Sequence, residues 1–193
     1  MPSLFNLSEI KKETTAVSDK SDILVERFLS AQDHRIESIK NLVGVLPEEN
    51  EIMFLWTLKS FNAFTFIPYL IKYSGSIDEL YISTYSISIR IIDALMKLID
   101  RGNVKKVTLM ISDALQYRLP KVHDHLKALT GHRPEITVKY AWNHSKIALM
   151  QIGDKCFGVE GSGNFGENAQ HEQYIFYRSF NIFMFRKKEI NEL

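Results

Sequence analysis

From Glu51 to Tyr140 the chain alternates between short apolar runs and longer stretches of helical period, and few architectures accept that order. Glu51–Thr57 is strand-like, 63–73 has a helical pattern in which Pro68 marks a first turn or a kink, and 79–86 alternates as a strand. Ile89–Asp100 then reads as a helix ended by Arg101-Gly102, Val104–Ser112 as a strand, 120–129 as a helix and 136–142 as a strand. Such a succession is the mark of right-handed β-α-β units, which build a largely parallel sheet covered by helices. A hairpin and a last strand over 173–177 follow, so the expected fold is α/β, with a mixed, largely parallel sheet sandwiched by helices.

The ends are less regular. Residues 1–20 mix Ser, Thr, Lys, Glu and Asp with scattered apolar positions and read as a flexible segment. From Ser21-Asp22 onward a capping residue precedes Ile23, Leu24, Phe28, Leu29, Ile36, Ile39, Leu42 and Val43, a near-helical recurrence that stops at Pro47. The expectation is an N-terminal helical extension over 21–47 leading into a single domain that spans 21–193. At 193 residues, 45% of them hydrophobic, one core of ordinary size is expected without metal or disulfide support. The lone Cys156 lies in an apolar strand, which excludes a disulfide framework and points to a reducing compartment. With no signal-peptide pattern and no run of about 20 apolar residues, a cytoplasmic protein without a membrane span is expected. The aromatic run Phe54, Trp56, Phe61, Phe64, Phe66 and Tyr69 could stack on bases, but its place inside apolar stretches favours core packing.

Chemistry concentrates between His144 and Glu172. On an extended strand His144 and Lys146 share a face with Ala148 and Met150, and a turn at Gly153-Asp154-Lys155 would bring Ser162 and Asn164 back beside them. Lys146 offers a full charge and three donors, Asn164 amide donors, Ser162 a hydroxyl, and Gly161 and Gly163 leave backbone N–H groups unshielded. Together they make an anion site suited to phosphate. An imidazole beside a phosphoryl group can attack phosphorus or protonate a leaving oxygen, and neither role calls for a metal or another cofactor. Glu172 is the nearest downstream carboxylate able to orient His144.

These residues resemble the signature of the phospholipase D superfamily: His144-Ser145-Lys146, then Asp154, then after six residues Gly161-Ser162-Gly163-Asn164. Seven residues separate Lys146 from Asp154, a longer hairpin than the family pattern, and Asp is also a common turn residue. The resemblance implies an α/β sandwich, His144, Lys146, Asn164 and Glu172 as catalytic groups, Lys146, Ser162, Gly163 and Asn164 around the phosphate, and Asp154 and Gly161 as structural positions of the motif. It further implies that two such motifs meet across a twofold axis. The chain carries one, so a homodimer with a composite site is implied.

The other histidines read as ordinary. His125-Leu126-Lys127 repeats His-x-Lys, but in a helical pattern with no Gly-Ser-x-Asn behind it. His123 and His125 are two apart on that helix and cannot grip one metal, so no metal site is expected. His132 and Arg133 fall in a surface loop, and His171 should face away from Glu172. Residues 101–146 hold nine Lys or Arg against three Asp or Glu in a chain of net charge +1. That asymmetry suits an anionic polymer, although solvated lysines on a helix would produce it too. The reading is a metal-independent phosphodiesterase using a phosphohistidine, with nucleic acid preferred as substrate. A non-catalytic nucleic-acid-binding module and a phospholipid hydrolase stand as alternatives.

Overall fold

A computed structural model of the chain describes residues 30–36, 38–42, 44–58, 62–166 and 171–192. Eight strands form one sheet: β1 (Ser30–Ile36), β2 (Glu51–Thr57), β3 (Ile77–Thr84), β4 (Val104–Ser112), β5 (Ile136–Ala141), β6 (Lys146–Ile152), β7 (Lys155–Gly161) and β8 (Gln173–Arg178). Five helices accompany them: α1 (Phe66–Ser74), α2 (Ile89–Asp100), α3 (Leu115–Arg118), α4 (Pro120–Thr130) and α5 (Phe180–Glu192). The strand order is β1-β2-β8-β7-β6-β3-β4-β5. Parallel pairing is confined to β1 with β2 and to β3, β4 and β5, while the centre, from β2 through β8, β7 and β6 to β3, is antiparallel. The expected mixed α/β sandwich is the fold found, but with three parallel and four antiparallel strand pairings the sheet is not largely parallel. Its antiparallel centre follows from the β6–β7 hairpin and from β8, which turns back beside β7 and pairs with β2 on its other side.

Alternation along the strands divides the core. Leu80 and Ile82 of β3, Leu109 and Ile111 of β4, Ala148 and Met150 of β6, and Phe157 and Val159 of β7 point to one face, against Phe66, Ile67 and Leu70 of α1, Ile92 and Leu95 of α2, and Leu126 of α4. Tyr81, Met110, Leu149 and Cys156 point to the other, where α5 covers them with Phe183 and Ile190. Two ion pairs fasten α5: Arg186 reaches Glu160 through Nε and Nη2, both at 2.8 Å, and Lys187 reaches Glu79 at 2.6 Å. Pro68 sits in the first turn of α1, where its missing N–H costs no helical bond.

Two expectations need correction. The helical extension over 21–47 is replaced, within the described residues, by the strand β1 and one 3-10 turn at Ile39–Leu42. The free edge of β2 supplies a ladder of seven residue partners for Ser30–Ile36, and that pairing outweighs a local period carried by few apolar positions. Residues 21–29 and the segment 1–20 lie outside the described residues. Second, the aromatic run splits: Phe64, Phe66 and Tyr69 are buried, but Phe54 and Trp56 are 43% and 51% exposed. They alternate with the buried Met53, Leu55 and Thr57 on β2, so they project from the opposite face. Phe61 lies outside the described residues.

Candidate active site

The site forms where β3, β4 and β5 end and β6 begins, the edge at which open α/β sheets present their ligands. Asn143 builds the corner. Its carboxamide oxygen accepts from the Ser145 N–H at 2.9 Å and from the Ser145 hydroxyl at 2.8 Å, and its Nδ2 donates to Ser83 Oγ at 2.9 Å and to the Thr84 carbonyl at 3.3 Å. The Ser145 and Ser83 hydroxyls bond as well. Ser83 and Thr84 are fully buried, so the loop is stitched to the rigid end of β3. His144, just before β6 and not within it, is left exposed above this corner.

Lys146, the first residue of β6, folds back over it. Its Nζ lies 2.9 Å from His144 Nδ1 and donates to the His144 carbonyl at 2.8 Å. Burial pushes the ammonium below its ordinary pKa, and the nearby Glu172 carboxylate works in the opposite direction. The Tyr85 ring, one residue beyond β3, packs on the imidazole with centroids 4.8 Å apart and planes inclined by 46°. Arg118 in turn lies over the Tyr85 ring at 5.8 Å and donates to its hydroxyl.

The Gly161-Ser162-Gly163-Asn164 segment leaves β7 at the same edge. Gly161 has to be a glycine: a Cβ there would stand 2.3 Å from the Gln173 carbonyl oxygen and 2.5 Å from the Tyr174 ring. This closeness lets Ser162 clasp β8, donating its N–H to the Gln173 carbonyl and accepting from the Gln173 N–H at its hydroxyl oxygen, both at 3.1 Å. The Ser162 hydroxyl also bonds the Glu172 carboxylate. Glu172 is itself held by the buried Thr57: its N–H donates to Thr57 Oγ1 at 2.7 Å and its carbonyl accepts from the Thr57 N–H at 2.9 Å. Gly163 is buried and Asn164 half-buried. The next residue, Phe165, is fully buried and bridges Ile87, with the Ser88 N–H donating to its carbonyl at 3.0 Å. Asn164 is thereby carried beside the start of α2.

Of the residues singled out from the sequence, His144 meets Lys146, Ser162 meets Glu172, and the field of Glu172 at Lys146 joins the two pairs into one cluster. The described contacts of the Glu172 side chain are thus to Ser162 and, through space, Lys146, while Lys146 and Tyr85 are what touch the His144 ring. Asp154 stands apart, in the two-residue turn between β6 and β7 with Gly153 at φ 58°. Six strand steps separate that turn from Lys146, about 20 Å, so Asp154 serves the hairpin and not the cluster. His125 bonds Asp93 of α2 at 2.7 Å and His123 meets Asp124 at 3.3 Å, which gives the second His-x-Lys a helix-pairing role. His132 is exposed, Arg133 pairs with Asp100 at 2.7 Å, and His171 Nδ1 lies 2.8 Å from the Thr57 carbonyl. Sequence reasoning missed Asn143, Tyr85, Arg118 and Thr57. Tyr85 had one available signal, its place directly after a strand of the parallel set. Among the described residues no three His, Cys, Asp or Glu side chains are grouped to hold a metal, and no helix is long and apolar enough to cross a membrane.

No protein-family profile matches the chain, and no curated protein matches it by sequence. Solved structures do match. Phosphatidylserine synthase from Haemophilus influenzae Rd KW20 is 12% identical over 73% of this chain and 38% of its own, with a TM-score of 0.50. Polyphosphate kinase from Porphyromonas gingivalis is 17% identical over 65% of this chain and 23% of its own, with a TM-score of 0.48. At such identities the likeness is one of fold. Sheet order, two-sided helix cover and the synthase likeness together define an α/β protein of the phospholipase D-like fold class. The chain spans well under half the length of either protein.

Proposed function

We propose that the chain is a metal-independent phosphodiesterase that works through a phosphohistidine, as a homodimer, on nucleic acid. The observation that supports this best is the exposed His144 imidazole with the Lys146 ammonium at 2.9 Å, in the field of Glu172 and beside a Gly-Ser-Gly-Asn segment. In the free protein the ammonium donates to Nδ1 and occupies that lone pair. A phosphate diester competes for the ammonium and releases the ring. Lys146, Gly163 and Asn164 then hold the non-bridging oxygens, joined by the Ser162 hydroxyl once it turns from Glu172 to the phosphate, and each well-placed donor can contribute about 2.7–4 kcal/mol to the transition state.

Attack by His144 forms an N–P bond as the P–O bond to the leaving group breaks, and His144 of the partner subunit delivers the proton that the departing oxygen needs. Water then attacks phosphorus, gives its proton to that second imidazole, and the N–P bond breaks. Glu172 favours the charged form of Lys146 and fixes Ser162. His144→Ala should abolish hydrolysis of a labelled oligonucleotide in EDTA while the dimer persists. Wild-type rates in that variant, or a requirement for Mg2+, would overturn the mechanism.

A second reading, a nucleic-acid-binding module without turnover, is favoured by the same contact, because an imidazole whose Nδ1 is held by Lys146 is masked. Trapping phosphate on His144 decides for the enzyme. Oligonucleotide binding with no cleavage between about pH 5 and 8, the range over which an imidazole titrates, decides for the module.

A further inference from the structure

Three side chains beside the cluster are unexplained by the chemistry above. Trp142 is 92% exposed and Tyr117 is 83% exposed, the two most exposed aromatics among the described residues, and neither contributes to the core. Both stand at the sheet edge that carries His144. Trp142 follows the last residue of β5, and its neighbour Asn143 is pinned to Ser83 and Thr84 at the end of β3. A single residue separates Trp142 from His144, at most about 7 Å of chain. Tyr117 belongs to α3, the short turn after β4, whose entrance is tied to the end of β5 by the Asp113 N–H donating to the Ala141 carbonyl at 2.9 Å. Next to it Arg118 reaches back over Tyr85, which packs on His144. The imidazole, Tyr85, Arg118, Tyr117 and Trp142 therefore all belong to the segments at the ends of β3, β4 and β5.

We propose that Trp142 and Tyr117 are a base-stacking platform flanking the phosphate site, and that the substrate is single-stranded nucleic acid whose unpaired bases lie on these rings while Arg118 follows the backbone. The proposal rests on the phosphate-site reading of His144 and Lys146 and adds the class of polymer and the strand state. Stacking on exposed aromatics requires unstacked bases, tolerates any sequence, and is paired with cationic groups for the backbone. A duplex offers its bases only edge-on in the grooves. A second copy seated on the rings themselves would set Arg118 against its own like charge across a twofold, so the rings flank the composite site and are not the contact that joins the subunits. A lipid headgroup fills the phosphate site but leaves the rings without a planar partner.

The test uses full-length protein carrying Trp56→Phe, so that indole emission reports Trp142 alone. Titration with a fluorescein-labelled oligo-dT should quench that emission, and anisotropy should show tighter binding than for a blunt duplex of equal length. Trp142→Ala and Tyr117→Ala should each weaken oligo-dT binding about tenfold, and Trp142→Phe should recover most of the loss. His132→Ala, at an exposed position outside the cluster, should bind like the parent. Unchanged affinity in Trp142→Ala, or equal affinity for the duplex, overturns the platform even if hydrolysis is intact. Loss of the dimer in Trp142→Ala by sedimentation, or binding only to phosphatidylserine vesicles, overturns it in favour of a self-interface or a lipid. Stacking-dependent binding without cleavage keeps the platform and removes the enzyme.

Discussion

Lys146 holds two roles whose balance depends on charge. Burial lowers its pKa below the ordinary value, and the Glu172 carboxylate opposes that shift. If the protonated form binds phosphate, activity falls as pH rises through a pKa that lies below the ordinary 10.5. Glu172→Gln removes the group that raises it, and the alkaline limb of kcat/KM should move to lower pH, whereas Glu172→Asp should hold it near the parent position. An unmoved limb would detach Glu172 from the lysine. The types and spacing of His144, Lys146, Ser162 and Asn164 were legible in the sequence because strand period and a hairpin suffice to carry them to one edge of the sheet. The contacts of Tyr85 and Thr57 were not legible, since each acts across the sheet on a residue far away in sequence.

Strands were easier to read than their surroundings. The spans Glu51–Thr57 and Val104–Ser112 and the helix Ile89–Asp100 match the expected limits, because each carries a clear period between breakers. α5 went unread: only Phe183 and Ile190 are buried along its thirteen residues, so the apolar stripe is thin, and ion pairs to Glu160 and Glu79 do part of the docking. β1 was read as helix because pairing to β2 is not a local property. The β7–β8 clasp gives this scale its prediction. Gly161→Ala places a methyl against the Gln173 carbonyl, which cannot move without breaking the ladder, and should cost about 1–3 kcal/mol, read as a lower Tm. It should also displace Ser162 and so reduce turnover in the surviving folded fraction. A variant of parental stability would show that β8 can shift.

For the whole molecule, one chain places one His144 at the sheet edge, and the proposed reaction uses two imidazoles. Specific activity should therefore fall on dilution through the dissociation range of the dimer, followed by sedimentation and by assay at the same concentrations; activity independent of dilution while the protein becomes monomeric would remove the composite site. The sequence alone determined the alternation of elements, the hairpin and the Gly-Ser-Gly-Asn return, because residue period, turn chemistry and the space at a glycine are local properties. Only the tertiary structure decided that β8 inserts beside β2, that β1 closes that edge, that Asp154 lies at the far end, and that Tyr85, Thr57 and Trp142 stand around the cluster. Those choices depend on which surfaces meet when the chain closes on itself, and surface complementarity between distant segments leaves no periodic trace along the chain.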